Sequence, residues 1–318
     1  MLLAILCGGT GWWWVHRPLP VGPAVLDLTI APGTSARGVA EAVTRAGVRV
    51  PADLLFVWFR LSGEARQIKA GSYEIAPGTT PLSLLDKLVR GEQALRAVTF
   101  VEGWNFRQLR EALAKAERLN ADSKPMAADQ IMQAIGRPGV APEGRFFPDT
   151  YTYAKGSSDL DVLKRAMLAM DRKLDAAWAQ RQPGAAVKTA DEALTLASII
   201  EKETGHGADR PLISGVFNNR LRIGMPLQTD PTVIYGLGAA FDGNLRRRDL
   251  QADTPYNTYT RTGLPPTPIS MPGGASLLAA VQPAPTTALY FVARGDGSSQ
   301  FSPTLQEHNR AVNQYQRK

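Results

Sequence analysis

The sequence predicts an α+β protein with more than one domain, and three observations support this fold class. The chain has 318 residues, of which 44% are hydrophobic and 20% charged, and these are ordinary globular proportions. Its 29 glycines and 23 prolines favour many turns over long uninterrupted helices. Strand and helix patterns alternate in the N-terminal part. We therefore expect small strand-turn-helix units followed by a larger mixed α/β domain.

The N-terminal segment resembles a membrane anchor. Residues Met1 to Val15 are apolar or small and include Trp12, Trp13 and Trp14, and Arg17 follows closely. Aromatic residues at the end of an apolar run are typical of a membrane interface. The run is shorter than the roughly 20 residues that cross a bilayer, and basic residues before it are missing. We expect a truncated membrane anchor over residues 1–17, with a cleaved signal peptide as the alternative, and a protein that works outside the cytoplasm.

Composition narrows the classes of ligand. The formal charge of +7 and the pI near 9.6 favour polyanionic partners. Arg246, Arg247 and Arg248 form the only tight basic cluster, and no aromatic-basic RNA signature accompanies it, so nucleic acid is disfavoured. The single cysteine, Cys7, excludes an intrachain disulfide, and the three histidines have no metal-site spacing. We expect chemistry without a cofactor.

A strand-turn-helix unit occurs twice near the N-terminus. In the first copy, a strand at 25–30 leads through Ala31-Pro32-Gly33-Thr34 into a helix that ends before Gly47. In the second, a strand at 71–75 leads through Ala76-Pro77-Gly78-Thr79 into a helix that ends before Gly91. The two turns lie about 45 residues apart and are nearly identical, which indicates an internal repeat.

A looser third unit has a strand at 97–101 and a helix around Phe106, Leu109 and Leu113. These small modules resemble LysM-type glycan-binding domains, and we assign residues 24–95 to a LysM-like domain on that basis. The alternative is a structural spacer that holds the rest of the chain away from the membrane.

An aromatic turn follows at 143–151. It places Phe146, Phe147 and Tyr151 beside Glu143 and Asp149. In sugar-binding proteins aromatic rings stack on pyranose faces and carboxylates bind hydroxyls. The alternative is a turn that packs in the core between domains.

The strongest candidate for chemistry is a helix predicted over 194–204. Leu196, Ile199, Ile200 and Glu203 lie on one face by steps of three and four residues, so Glu203 follows an apolar stripe. Burial there would raise its pKa and make it able to donate a proton near neutral pH. Glu201 is about 200° away around the helix, so the two carboxylates cannot act on one bond. Periodicity alone favours Glu203 only slightly, and an exposed helix end is the alternative.

Polar and aromatic residues recur on loops predicted downstream of this helix. A proline-bounded loop carries Gln228 and Asp230, and a second loop carries Asn257 and Tyr259. Such side chains suit hydrogen bonds to sugar hydroxyl and acetamido groups. We expect these four residues to position a saccharide in a cleft.

The order and spacing of these motifs resemble the endolytic murein transglycosylase family, also called YceG-like or MltG. The resemblance extends over nearly the whole chain, including the turn at 147–150 and a C-terminal strand at 290–293 that leads to His308. It rests on these segments: Ala197-Ser198-Ile199-Ile200-Glu201-Lys202-Glu203-Thr204, Phe217-Asn218-Asn219-Arg220-Leu221, Leu227-Gln228-Thr229-Asp230-Pro231-Thr232-Val233-Ile234-Tyr235-Gly236, Tyr256-Asn257-Thr258-Tyr259 and Gly263-Leu264-Pro265-Pro266.

The resemblance implies a YceG-like catalytic domain over 96–318 with one catalytic glutamate, which matches Glu203. It implies a lyase that cleaves the β-1,4 bond between N-acetylmuramic acid and N-acetylglucosamine and leaves a 1,6-anhydro end. The expected partners are peptidoglycan glycan strands, the inner membrane through a single N-terminal pass, and peptidoglycan synthases. The expected location of the catalytic domain is the periplasm, where it would terminate nascent strands.

Two alternatives remain open at the level of sequence. The first is a muramidase-type hydrolase in which Glu203 works with an aspartate, either Asp230 or Asp149. The second is a protein that binds peptidoglycan without cleaving it.

Overall fold

The protein is a mixed α+β structure of many helices and small antiparallel sheets. The computed structural model describes residues 2–316, with side chains described from residue 9 onward. Within that range the strands pair in twos: β1 with β2, β3 with β4, and β5 with β6. The elements are α1 (Leu2–Val15), β1 (Leu26–Ile30), α2 (Ala36–Arg45), α3 (Ala52–Leu61), β2 (Gly71–Ile75), α4 (Pro81–Arg90), β3 (Leu95–Thr99), α5 (Phe106–Lys115), α6 (Ala128–Ala134), β4 (Thr150–Ala154), α7 (Asp159–Trp178), α8 (Ala190–Glu203), α9 (Arg210–Arg222), α10 (Asp230–Leu237), α11 (Arg247–Gln251), α12 (Gly274–Val281), β5 (Tyr290–Ala293), β6 (Ser299–Ser302) and α13 (Leu305–Tyr315).

The chain divides into two compact units. The first runs to Ala97 and includes the short segments Glu117–Leu119 and Thr152–Ser157. The second contains the remaining segments and most of the helices. The predicted LysM-like character of residues 24–95 stays a prediction.

In the first unit, a two-stranded sheet packs on three helices. β1 and β2 are antiparallel, with Leu26 opposite Ile75 and Ile30 opposite Gly71. One face of this sheet and the apolar faces of α2, α3 and α4 form a core, which excludes water from large side chains and so stabilises this small unit. Its members include Leu28, Val39, Val43, Leu55, Phe59, Tyr73, Ile75, Leu84, Leu85 and Leu88.

The two predicted turns have the same geometry, which confirms the internal repeat. Thr34 donates its hydroxyl to the Ala31 carbonyl at 2.7 Å, and Thr79 donates to the Ala76 carbonyl at 2.7 Å. Gly33 and Gly78 have φ of 78° and 91°, which residues with a Cβ rarely adopt. Each turn then delivers the chain to a side-chain N-cap of the following helix.

The segment for which the sequence predicts a membrane anchor forms α1. Across residues 2–316, no helix combines the length and apolar character needed to cross a membrane.

The second unit is built around α8. This helix packs against α7, α9 and α12, and every residue from Ala193 to Ile200 is buried. A helix segment that is buried on all sides lies in the centre of a core. The surrounding core includes Met170, Leu174, Ile213, Phe217, Leu227, Leu277, Ala280 and Val281.

The C-terminal part of this unit is a hairpin with a helix against it. β5 and β6 are antiparallel, with Tyr290 opposite Ser302 and Val292 opposite Gln300. Thr304 accepts a hydrogen bond from the Glu307 amide and so caps α13, which packs on β5. The strand predicted at 290–293 is therefore confirmed.

Some predicted boundaries differ from the structure. The segment after Gln228 does not stay a loop: Asp230 opens α10, with Pro231 in its first turn, where a missing N–H does no harm. The helix predicted at 194–204 is α8, which begins at Ala190 and ends at Glu203, and the strand predicted at 97–101 is β3, at Leu95–Thr99.

Candidate active site

Glu203 is the last residue of α8, and it lies at the rim of the core. Thr189 caps the start of this helix by accepting a hydrogen bond from the Glu192 amide at 3.1 Å. Leu196, Ile199 and Ile200 are fully buried, as predicted from their spacing. The helix ends where Thr204 turns extended, at φ −146°. The buried helix therefore carries one carboxyl group to the edge of the unit.

The Glu203 carboxyl group faces a cavity of about 530 Å³, which we call the glutamate cavity. It lies wholly within the second unit. Its polar lining residues are Glu203, Arg220, Gln228, Asp230, Tyr259, Tyr290, Ser299, His308 and Gln316.

The surroundings raise the pKa of Glu203. Burial is the main cause, because removal from water disfavours the charged form, and the negative charge of Asp230 acts in the same direction. The Thr229 hydroxyl, which donates to Oε2 at 2.6 Å, and the positive charge of Arg220 act in the opposite direction. The net effect is a raised pKa, so the protonated form, which a general acid requires, persists to higher pH than in a free glutamate.

A cluster of buried threonines holds the Thr229 hydroxyl in place. The Thr229 amide donates to Thr258 Oγ1 at 3.1 Å, and the Thr232 hydroxyl donates to the Thr229 carbonyl at 2.8 Å. Thr232 and Thr258 also share a hydrogen bond of 2.9 Å. All three side chains are nearly inaccessible to water, so the donor that orients Glu203 is itself rigid.

Arg220 forms another wall of the glutamate cavity. Its Nε donates to the Leu289 carbonyl at 2.6 Å and one terminal nitrogen donates to the Leu227 carbonyl at 2.8 Å. Its guanidinium lies 5.2 Å from the centre of the Tyr290 ring. The arginine thereby joins α9, the segment before Gln228, and β5 around one cavity.

Comparison with known proteins identifies the family. The model of the YceG-like family matches residues 28–314, which is most of the chain. The chain belongs to the YceG-like family. An endolytic murein transglycosylase of Bacillus subtilis (strain 168) is 31% identical over 307 residues, covering 91% of this chain and 84% of the relative.

Two further relatives support this membership. An endolytic murein transglycosylase of Streptococcus pneumoniae (serotype 2, strain D39) is 27% identical, and the match covers 89% of this chain but only 57% of that relative. A crystal structure of a YceG-like protein from Listeria monocytogenes superimposes with a TM-score of 0.56 at 29% identity, covering 90% of this chain and 98% of the other.

Three of the four predicted sugar-positioning residues of this YceG-like protein line the glutamate cavity: Gln228, Asp230 and Tyr259. The Tyr259 hydroxyl donates to Asp230 Oδ1 at 2.6 Å. Gln228 has φ of 48°, and its amide donates to the Thr258 carbonyl at 3.0 Å. A left-handed backbone conformation is strained for a residue other than glycine, and such strained residues are frequent at binding and active sites.

Asn257, the fourth, has a different position. Its side chain is 1% exposed, and it donates to the carbonyls of Asp249, Leu250 and Ala252. Its Oδ1 accepts the Tyr259 amide at 2.8 Å. Because these partners occupy the amide group, Asn257 supports the loop that presents Tyr259 and does not line the cavity.

Glu201 is placed away from the glutamate cavity. One of its oxygens accepts the Gly273 amide at 2.9 Å, and the other lies 3.6 Å from Arg210. Its side chain is only 6% exposed. Glu201 thus joins α8 to the segment before α12, while Glu203, two residues later, faces the cavity.

The aromatic turn at 143–151 packs in the core, in line with the alternative considered from sequence. Phe146 is fully buried and stacks on Phe106 with ring centres 5.5 Å apart. The Tyr151 hydroxyl donates to the Phe147 carbonyl. Asp149 accepts the Thr150 amide and does not line the glutamate cavity.

Sequence reasoning missed Arg220, Tyr290 and His308 as site residues. The His308 ring stacks on Tyr290 with centres 5.3 Å apart, and burial, aided by the charge of Arg220, lowers its pKa. Its Nδ1 is buried and has no hydrogen-bond partner among the residues that the structure describes. The motif containing Asn219-Arg220 pointed to Arg220, but no local sequence pattern connects Arg220 with Tyr290 and His308, which lie far away in the chain.

Proposed function

We propose that this protein is an endolytic murein transglycosylase, a lyase that cleaves the glycan strands of peptidoglycan with Glu203 as its acid and base. The proposal rests on Glu203, whose carboxyl group has a raised pKa and lines a polar cavity in a YceG-like chain. The bacillary and streptococcal relatives bear that name, which supports the same activity here.

In the first step, protonated Glu203 donates its proton to the β-1,4 oxygen between N-acetylmuramic acid and N-acetylglucosamine. The C1–O bond breaks, and the N-acetylglucosamine end leaves with a free hydroxyl group. The muramyl acetamido group stabilises the positive charge that develops at C1. Thr229 holds the Glu203 carboxyl group in place by donating a hydrogen bond to Oε2.

In the second step, the Glu203 carboxylate accepts the proton of the muramyl C6 hydroxyl, and the C6 oxygen bonds to C1. The product is a 1,6-anhydro sugar, and Glu203 is protonated again. Water is not consumed, so one carboxyl group serves both steps, whereas hydrolysis ordinarily requires two.

Gln228, Asp230 and Tyr259 are proposed to hold the sugars during these steps. The Asp230 carboxylate and the Tyr259 hydroxyl are already bonded to each other and face the glutamate cavity. Together they offer acceptors and donors to sugar hydroxyl and acetamido groups. Asn257 acts through them, by supporting the backbone of Tyr259.

A muramidase-type hydrolase is the second candidate, and one observation favours it. Asp230 lines the same cavity as Glu203 and could activate a water molecule. Its products differ from those of a lyase, because a hydrolysed reducing end is heavier by one water.

The proposed location is the extracytoplasmic face of the inner membrane, beside peptidoglycan synthases, where cleavage terminates growing strands. The aromatic N-terminal segment and the net charge of +7 support this placement. The strand-turn-helix modules of residues 24–95 would hold glycan in the manner of LysM-type domains.

Mass spectrometry of fragments released from purified peptidoglycan tests the function. We expect anhydro-muramyl ends with the unaltered protein and a loss of activity of about a thousandfold or more in Glu203→Gln, because the amide cannot donate and recover a proton. Glu117→Gln is the matched control, since this carboxylate is 72% exposed and does not line the glutamate cavity.

Reducing ends in place of anhydro ends would select the hydrolase. Undiminished cleavage by Glu203→Gln would overturn the role of Glu203. Binding of peptidoglycan without any cleavage would leave only a glycan-binding protein.

A further inference from the structure

A second and larger cavity lies beside the glutamate cavity in the same unit. Its volume is about 640 Å³, and we call it the aromatic cavity. Its side walls include Asn105, Arg107, Lys202, Tyr235, Phe241 and Tyr256. The role proposed for Glu203 does not use any of these residues.

The two cavities adjoin at two separate places in the chain. In α8, Lys202 lines the aromatic cavity and Glu203 lines the glutamate cavity. In α10, Pro231 lines the aromatic cavity and Asp230 lines the glutamate cavity. Neighbouring Cα atoms are only about 3.8 Å apart. The end of α8 and the start of α10 therefore contribute to the walls of both cavities, so the two cavities lie close to each other, with Glu203 at the near side of one of them.

The wall of the aromatic cavity suits a sugar ring. Tyr235 and Tyr256 meet edge to face with ring centres 4.9 Å apart, and Phe241 and Ile234 add further apolar surface. Tyr235 is held in place because its hydroxyl donates to the buried Glu143 at 3.1 Å. Fixed aromatic faces beside amide groups such as that of Asn105 are typical of saccharide sites.

The charge of the aromatic cavity is positive. The Arg107 side chain is 60% exposed, and its ion pair with Glu111 is long, at 3.9 Å. Lys202 donates to the Gly103 carbonyl at 3.3 Å. Glu143 contributes little negative charge below neutrality, because burial raises its pKa to about 7. Two cations near an aromatic wall suit a sugar that carries a carboxylate.

We propose that the aromatic cavity binds a second N-acetylmuramyl residue of the strand that Glu203 cleaves, distinct from the one whose C1–O bond breaks, with its lactyl or stem-peptide carboxylate at Arg107 and Lys202. This inference rests on the proposed function and adds a subsite to it. The neighbouring N-acetylglucosamine residues carry no carboxylate, so the two cations would set the register in which the alternating strand binds.

Binding to the inactive Glu203→Gln protein tests the subsite. The probes are a peptide-free tetrasaccharide of alternating N-acetylglucosamine and N-acetylmuramic acid, with free lactyl carboxylates, and the uncharged tetramer of N-acetylglucosamine. We expect Arg107→Gln to weaken binding of the first by about fivefold, as for an exposed ion pair worth about 1 kcal/mol, and to leave the second unchanged.

Two further variants in the same background sharpen the test. Phe241→Ala should weaken binding of both probes, because both sugars have faces that stack on the ring. Arg248→Gln is the charge-matched control: this arginine is 77% exposed and lines neither cavity, so both affinities should stay unchanged.

Equal loss of both probes in Arg107→Gln, or no loss of either, would overturn the carboxylate subsite. An effect of Arg248→Gln equal to that of Arg107→Gln would overturn it as well, because net charge alone would then explain the result. Failure of the proposed function has a different signature, namely cleavage of peptidoglycan by Glu203→Gln.

Discussion

At the scale of single residues, two neighbours of Glu203 have opposite effects on its pKa. The charge of Asp230 raises the pKa of Glu203, and the hydrogen bond from Thr229 lowers it. Glu203 must be protonated to begin the proposed reaction, so kcat/KM should fall as the pH rises through its pKa. The position of this alkaline limb therefore reports the electrostatics of the glutamate cavity.

Asp230→Asn should move the alkaline limb of kcat/KM to lower pH, because it removes the negative charge that favours the protonated form of Glu203. Thr229→Val should move the limb to higher pH, because it removes a hydrogen bond that favours the carboxylate. Thr99→Val, outside the cavity, is the control. If the alkaline limb of kcat/KM moved in the same direction in both site variants, this explanation of the Glu203 pKa would be contradicted.

The raised pKa of Glu143 leads to a separate prediction about the stability of the protein. Its pKa is raised from 4.5 to about 7 by burial, so the folded state holds this proton more tightly than the unfolded state. The stabilisation from this protonated carboxyl group is fully present below pH 4.5 and is lost as the pH rises through about 7. The free energy of unfolding changes by about 3 kcal/mol over this range.

Glu143→Gln should remove that part of the pH dependence, since glutamine can still accept the Phe106 amide and the Tyr235 hydroxyl. Urea unfolding at about pH 5 and pH 8 measures the difference between the two proteins. Equal losses of stability in both proteins over this range would show that Glu143 is not the titrating group.

At the scale of elements, α8 is joined to the segment before α12 by buried serines. Ser198 Oγ accepts the Ile269 amide at 3.0 Å, and the Ser198 carbonyl accepts the Ser270 hydroxyl at 3.0 Å. One turn further on, Glu201 accepts the Gly273 amide. These bonds fix the end of α8, and hence Glu203, against the rest of the unit.

Ser198→Ala should destabilise the protein by about 2 kcal/mol, because it leaves the buried Ile269 amide without a partner. Ser276→Ala is the matched control, since its buried hydroxyl has no hydrogen-bond partner within the described structure and its removal should be neutral or stabilising. Urea unfolding compares the two variants, and equal effects would contradict the assigned role of Ser198.

At the scale of the whole molecule, the net charge of +7 favours association with an anionic polymer. Binding of Glu203→Gln to peptidoglycan should therefore weaken several-fold between about 0.05 M and 0.5 M salt, as screening shortens the range of the attraction. Co-sedimentation measures this, with uncharged chitin as the control. Equal salt dependence for the two polymers would show that the charge plays no part.

The sequence by itself determined what depends on near neighbours. The repeated turn, the strand at 290–293 and the apolar stripe that ends at Glu203 follow from steric limits and periodicities within a few residues. The family motifs were also visible in the sequence, and they favoured Glu203 over Glu201 more strongly than periodicity did.

Only the tertiary structure decided which side chains meet. It brought Arg220, Tyr290 and His308 to Glu203 from distant parts of the chain, and it buried Asn257 among backbone carbonyls. It also gave Glu201 an amide and an arginine as partners while Glu203 faced the cavity. The physical reason is that caps and turns are local, whereas burial, pKa and the walls of a cavity depend on packing between elements far apart in sequence.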